Sequence, residues 1–340
     1  MASLIPKSTL QVRPRIAVEL RPEGVYAARA GDAAGLLAQV AGVPLPLGAL
    51  LPSLRNGNIF DRDAIVAALK HALGQVALPR QRDVTLILPD TAVRVLLLDF
   101  DELPSSAEEA LPVLRFRLAR LLPFNPEHAQ VSYQVMSRHS RLLQVLAVAI
   151  PNDVLAEYES VVRDAGYEPG AVLPSTLAVC AGIDDVAHTA SLLINGSEHS
   201  VTTAILRRGE VLLHRTLDLK IQPMLEAIVT TDEVEIDAGG VAVAELIAIA
   251  PPTVQQESER TALELLQAIS VAAAYYEDSL AIAPEHVVTA GTLSAEALAA
   301  MLVDTGLTAR DAFQSTDMLA TAVTHIPRGL LAGLRGALKI

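Results

Sequence analysis

Cysteine occurs once, as Cys180, tryptophan is absent, and aromatic residues make up only 3% of the 340. A single thiol excludes an intrachain disulfide and a cysteine zinc cluster, and it suits a reducing compartment. So few aromatics leave the core to Leu, Val, Ile and Ala and provide little for stacking on bases. Basic residues are in deficit, 26 against 39 acidic, so the chain carries −13 and repels a phosphate backbone. Nucleic acid is therefore not an expected partner. No Walker phosphate loop, Gly-x-Gly-x-x-Gly or His-Glu-x-x-His occurs. The first eleven residues hold Pro6 and a lone Lys7 but no apolar run of signal-peptide length, so export by that route is not expected. Residues 33–54 are uncharged, yet Gly42, Pro44, Pro46, Gly48 and Pro52 interrupt them. Such a density predicts a strand followed by a stiffened apolar loop, not a spanning helix.

What is present is a chain with 51% hydrophobic residues, long enough for two lobes. Apolar runs at 15–20 and 25–30 flank Arg21-Pro22-Glu23-Gly24, a hairpin signal, and a third strand is expected over 35–40. Asp61 then caps a helix with Ile65, Ala68, Leu69, Ala72, Leu73 and Val76 on one face. Strands are predicted at 84–88, 93–100, 130–135 and 143–150. The 93–100 run is largely apolar and predicts burial on both faces. Ser105 with Glu108 predicts a capped helix to about 122, although Pro112 requires a kink or a later start. A helix over 152–165 ends at Gly166.

The second half opens like the first. Runs at 191–194, 201–207 and 211–216 are joined by Asn195-Gly196-Ser197 and Arg208-Gly209-Glu210, both turn signals. A long helix over 257–280, a strand at 286–290, a helix opened by Ser294 and a last helix over 328–338 follow. Two halves that begin alike suggest a duplication around a cleft.

The order of local signatures resembles the PilM family of type IV pilus assembly proteins along nearly the whole chain. The residues that carry it are Leu88-Pro89-Asp90-Thr91-Ala92-Val93, Leu121-Leu122-Pro123-Phe124, Gln130 to Val135, Ala165-Gly166-Tyr167-Glu168-Pro169 and Glu285-His286-Val287-Val288-Thr289-Ala290-Gly291. The resemblance implies a two-lobed actin-like (ribonuclease H-like) α/β fold with a small α/β subdomain inserted in the first lobe. It implies a first lobe over 1–186 with the insertion at about 84–150, completed by a C-terminal helix over 325–340, and a second lobe over 187–324.

In that fold each hairpin ordinarily carries Asp-x-Gly, the acid organising Mg²⁺ and the glycine admitting phosphate. The aligned residues are Glu19-Leu20-Arg21 and Asn195-Gly196-Ser197, and the adenosine loop keeps one glycine in Ala290-Gly291-Thr292. Glu19, Asn195, Gly196, Ser197, Gly291 and Thr292 are thus the nucleotide-site candidates, and their departures imply weak ATP and Mg²⁺ binding at most and no catalytic residue.

The family implies a cytoplasmic scaffold of a pilus machine, peripheral at the inner face of the cytoplasmic membrane, that binds the cytoplasmic N-terminal tail of a PilN-like bitopic pilus protein. A homo-oligomer stays open. The tail is expected where the core strands meet the insertion, beside Leu96, Leu97 and Leu98 and a helix ending in Leu121-Leu122-Pro123-Phe124. Two alternatives remain. One is an active ATPase or sugar kinase of the same fold, which needs a phosphate loop and a catalytic Asp. The other is the cytoplasmic platform protein of type II secretion, which is expected to continue into a membrane helix.

Other clusters favour plain readings. His199 and His214 could pair across a hairpin but read as exposed strand residues. Asp99, Asp101, Glu102, Glu108 and Glu109 suit a solvated loop and a helix N-terminus. Arg115, Arg117 and Arg120 form a polar helix face, Asp232, Glu233, Glu235 and Asp237 a solvated acidic tip, and Cys180 a buried small residue.

Overall fold

The computed structural model describes residues 14–32, 34–139, 142–183, 190–219, 252–284, 286–319 and 325–339. The N-terminal residues 1–13 and the acidic run at 232–237 lie outside them.

The chain opens with β1 (Ile16–Arg21) and β2 (Gly24–Ala30), a hairpin closed where Arg21 faces Gly24, and β3 (Leu37–Pro44) continues the meander. The apolar loop after β3 leads to α1 (Arg62–Val76). Asp61 caps this helix, its carboxylate accepting from the Ala64 amide at 3.0 Å, and the six residues expected on its apolar face are all buried. An N-cap of this kind satisfies one of the four orphan amides of a helix start.

β4 (Asp83–Leu88), β5 (Arg94–Phe100), α2 (Ala107–Leu118), β6 (Ala129–His139), β7 (Leu142–Pro151), α3 (Asn152–Asp164), β8 (Glu168–Pro174) and α4 (Ser175–Gly182) follow. Next come β9 (Ser191–Ser197), β10 (Ser200–Arg207), β11 (Glu210–Asp218), α5 (Pro252–Leu280), β12 (His286–Gly291), α6 (Ala295–Met301), β13 (Thr308–Asp311) and α7 (Ala332–Leu338).

Two five-stranded sheets share one plan. The first runs β3-β2-β1-β4-β8 and the second β11-β10-β9-β12-β13, each an antiparallel meander followed by two parallel strands. The period of two along a strand divides the second sheet's side chains. Leu192, Ile194, Val201, Ile205 and Val287 join a core with α5 and α6, while Leu193, Ala204, Leu206 and Val288 face the first lobe's core. Apolar packing therefore runs from one lobe into the other. The last helix, α7, returns to the first lobe and lies against α4 so closely that a Cβ on Gly336 would strike the Ala178 carbonyl.

A three-stranded sheet, β5-β7-β6, stands between β4 and α3 in sequence, and α2 covers it with Ala110, Leu114 and Leu118. The insertion does not begin at Val84 as the sequence suggested. Asp83–Leu88 pairs in parallel with both β1 and β8 inside the first sheet, so the inserted unit starts at Arg94. β5 is not buried on both faces either, because it is an edge strand with Asp99 exposed.

Other local expectations also shift. The cap of α2 is Ser106, accepting from the Glu109 amide at 3.3 Å, and Pro112 sits inside a helix that starts at Ala107. Asn195, Gly196 and Ser197 are strand residues, since Ser197 pairs with Ser200 and the turn is Glu198-His199. Two strands went unread, β8 and β13. Among the described residues no helix is long and apolar enough to cross a membrane.

Candidate functional site

The fold brings the C-terminal ends of β1, β9 and β12 together, and with them Glu19, Asn195, Gly196, Ser197, Gly291 and Thr292. Gly291 sits at φ +76, a conformation that costs glycine nothing. Its backbone is packed tightly: a Cβ there would stand 2.8 Å from both Arg21 Nη2 and Asn195 Oδ1 and collide with the Gly196 carbonyl. Thr292 donates its amide to that same carbonyl at 3.0 Å.

Arg21, the residue at the expected glycine position, occupies the centre. It is 4% exposed. Its Nη1 donates to Glu19 Oε1 at 2.7 Å, its Nε to Glu23 Oε1 at 2.6 Å, and its Nη2 to the Gly196 carbonyl of the other lobe. Burial alone would lower the pKa of the guanidinium, but the Glu23 and Glu19 carboxylates outweigh it and hold Arg21 above its ordinary value. Burial pushes the Glu19 carboxyl up, with Arg21 and the Ser175 hydroxyl opposing.

A polar net surrounds this centre. Ser175 Oγ donates to Glu19 Oε1 at 2.7 Å, and Asn195 Nδ2 donates to Ser175 Oγ at 3.0 Å and Thr176 Oγ1 at 2.9 Å. Ser197 Oγ donates to Glu23 Oε2 at 3.2 Å. Deeper in the cleft Asp90 accepts from the Thr176 amide at 3.1 Å, the Thr176 hydroxyl and the Thr202 hydroxyl. His214 Nε2 stands 3.9 Å from Asp90 Oδ1, and burial lowers its pKa despite that carboxylate. Sequence reasoning singled out neither Asp90, Ser175 nor Thr176 as site residues. They lie far from the hairpins in sequence, and only the parallel pairing of β1, β4 and β8 gathers them.

This arrangement does not fit a magnesium nucleotide. The space enclosed by Glu19, Arg21, Asp90, Ser175, Asn195 and Ser197 is about 10 Å³, enough for roughly one water. Glu19 Oε2 and Asn195 Oδ1 are buried without a hydrogen-bond partner, two oxygens of the right kind for a cation. The Arg21 guanidinium is already bonded to the Glu19 carboxylate, so a metal ion there meets a fixed positive charge.

The remaining candidates disperse. His199 and His214 do not face each other, and neither is the exposed strand residue expected: His214 pairs with Ala204 and its side chain is buried, while His199 lies in the turn between β9 and β10 and its carbonyl accepts from the Leu219 amide. Arg115 is fixed on the Pro126 and Ala129 carbonyls and Arg120 lies 5.5 Å over the Phe116 ring, so these two do not share one solvated face. Cys180 is buried on α4, as expected.

A second cavity, of about 540 Å³, opens where the inserted unit meets both lobes. Val131, Gln134 and Met136 of β6, Val148 of β7, Leu177 and Cys180 of α4, and Leu206 of β10 border it. The expected leucines are elsewhere: Leu96, Leu98 and Leu122 pack in the insertion's own core, Leu97 packs against the first lobe, and Leu121 is exposed. The reason is the orientation of the inserted sheet, whose α2-covered face takes Leu96 and Leu98 while Leu97 points to the opposite side.

No protein-family model and no curated protein sequence matches the chain. Among solved structures it is similar to the PilM–PilN type IV pilus biogenesis complex, with a TM-score of 0.72 and 19% identity over 96% of this chain and 98% of that one. More distant are the ethanolamine utilization protein EutJ from Carboxydothermus hydrogenoformans (TM-score 0.47, 9% identity, 99% and 91% covered) and the cytoplasmic domain of EpsL, an inner membrane component of the Vibrio cholerae type II secretion system (0.39, 11%, 66% and 78%). The chain has the PilM-like fold: two actin-like lobes, with a small α/β unit inserted in the first.

Proposed function

We propose that this chain is a non-catalytic scaffold of a type IV pilus or related assembly machine, working at the cytoplasmic face of the membrane and receiving the cytoplasmic tail of a PilN-like bitopic protein. The observation that carries this reading is the similarity to the PilM–PilN complex across nearly the full length of both chains. The cavity at the insertion supports the reading. Its volume suits a few side chains of an extended apolar segment, and its lining is mostly aliphatic. β6 is an edge strand of the inserted sheet, so its free backbone groups can pair with such a segment while alternate side chains enter the cavity. The reading gives the nucleotide cleft no part, in keeping with Arg21 at its centre.

The test is a pull-down of the full chain on immobilised tail peptides of candidate bitopic partners, repeated with Gln134→Trp, which fills the cavity from the edge strand. Binding should fall at least about tenfold in the variant with thermal stability unchanged. Undiminished capture by a stably folded variant would remove this cavity as the tail site, and absence of capture by any partner's tail would sink the scaffold reading.

A further inference from the structure

We propose that Arg21 is a built-in bridging cation that holds the two lobes closed, so that closure of this chain is set by its own side chain and not by a bound nucleotide. The proposal stands on geometry at the cleft and is independent of which partner the scaffold binds.

The guanidinium reaches acceptors on both sides of the cleft at once. Glu19 and Glu23 belong to the first hairpin, the Gly196 carbonyl to the second, and the Gly291 loop closes over the same group. A metal ion with its phosphates is an exchangeable bridge, whereas an arginine at the end of β1 is covalently fixed and stays charged at any physiological pH.

Charge balance argues the same way. Two carboxylates, Glu19 and Glu23, converge on one place and require a cation between them. With Arg21 supplying it, an incoming triphosphate would add negative charge beside two acids and find its cation already engaged. The flanking contacts repeat the bridge with neutral groups. Ser197 donates to Glu23 at 3.2 Å, Asn195 to Ser175 at 3.0 Å, and Thr202 to Asp90 at 3.1 Å, each joining one lobe to the other. Removing Arg21 leaves two buried or half-buried carboxylates facing one another and one carbonyl without its donor, so the cleft should relax locally.

Amide hydrogen exchange on the full chain tests this with Mg-ATP as the probe. In the wild type, exchange at 195–197 and 289–291 should be slow and unchanged by Mg-ATP at millimolar concentration. In Arg21→Gly it should rise at least about tenfold at those segments while β5, β6 and β7 of the inserted sheet keep their protection, a pattern that global destabilisation would not give. Arg21→Lys, which keeps the charge but loses the fork of donors, should fall between the two and serves if the glycine variant does not fold. Mg-ATP that protects 195–197 or 289–291 about tenfold in the wild type would overturn the proposal. So would a folded lysine or glycine variant whose cleft exchanges as slowly as the wild type.

Discussion

Thr202 of β10 donates its hydroxyl to Asp90 at 3.1 Å across the cleft, and Asp90 in turn holds the first residues of α4 through the Thr176 amide and hydroxyl. One carboxylate, 7% exposed, thus couples the end of β4, the start of α4 and the second lobe. Asp90→Ala leaves the buried Thr176 amide and hydroxyl without an acceptor and the Thr202 hydroxyl with Thr216 alone, and should destabilise the fold by about 3 kcal/mol. Thr202→Val removes one neutral-to-charged bond and should cost about 1 kcal/mol, and the double variant should cost less than the sum because the bond is shared. Urea unfolding of the four proteins measures the coupling; strict additivity would show that the contact contributes nothing.

Much of this fold could be read in the chain because local chemistry and tertiary position agree there. Arg21-Pro22-Glu23-Gly24, Arg208-Gly209, Asp61, Ser294 and Gly166 all punctuate where the turn and cap residues say they should. The readings that shifted depend on pairing between distant segments. Asn195 and Gly196 look like a turn, yet pairing with Thr202 and Val201 keeps them in β9. β8 contains Pro169, Gly170 and Pro174 and has no strand pattern, and it forms because β4 offers an edge with which its remaining amides can pair. The site shows the same division. Glu19, Asn195 and Gly291 stand out by position in the hairpins and loop, but that Arg21 turns inward to fill the space between them is a matter of packing that the missing glycine only hints at.

Two buried groups of the cleft give opposite slopes of stability against pH. The Glu19 carboxyl is raised above its ordinary 4.5 in the folded protein, so above 4.5 the folded state binds the proton more tightly than the unfolded one. Stability therefore falls as pH rises from 4.5 through the folded value, and Glu19→Gln should remove that loss. His214 is lowered from its ordinary 6.5, so the unfolded state binds more protons just below 6.5. Stability from this group is full above 6.5 and is lost as pH falls toward the folded value, and His214→Gln should flatten that acid limb. Thermal melts of the two variants and the wild type at half-unit steps from pH 4 to 8 check both signs. A wild-type profile unchanged by either substitution would count against the assigned shifts.

Glu157 of α3 shapes the apolar loop after β3. Its Oε2 accepts from the Gly57 and Asn58 amides at 3.1 Å each and its Oε1 from the Ile59 amide at 3.0 Å. Three converging amides make a nest for one carboxylate, and they hold the segment that carries the exposed Phe60. Glu157→Ala should cost about 1–2 kcal/mol, the lower part of the range for charged hydrogen bonds because the side chain is only half-buried. Glu157→Gln keeps two acceptor lone pairs and should recover part of that loss. Denaturant midpoints of both variants decide; equal loss in the two would assign the effect to charge alone, and no loss in either would show that the loop holds itself.

The last prediction uses Cys180 as a reporter of the cavity beside the inserted sheet. The thiol is 7% exposed, borders that cavity, and burial with help from the nearby Asp90 charge pushes its pKa up to about 12. At pH 8 it is almost wholly protonated, and the thiolate is the reactive form. Alkylation by iodoacetamide in the native protein should therefore run at least about a hundredfold slower than in urea, where the thiol recovers an ordinary pKa and full access. A tail peptide seated in the cavity should slow the native reaction further, since it covers the route past Leu177 and Leu206. Mass spectrometry of the alkylated fraction against time, with and without the peptide that the pull-down selects, gives the result directly. Rapid labelling of the native chain would contradict the buried thiol, and a rate indifferent to a peptide that demonstrably binds would move the tail site away from this cavity.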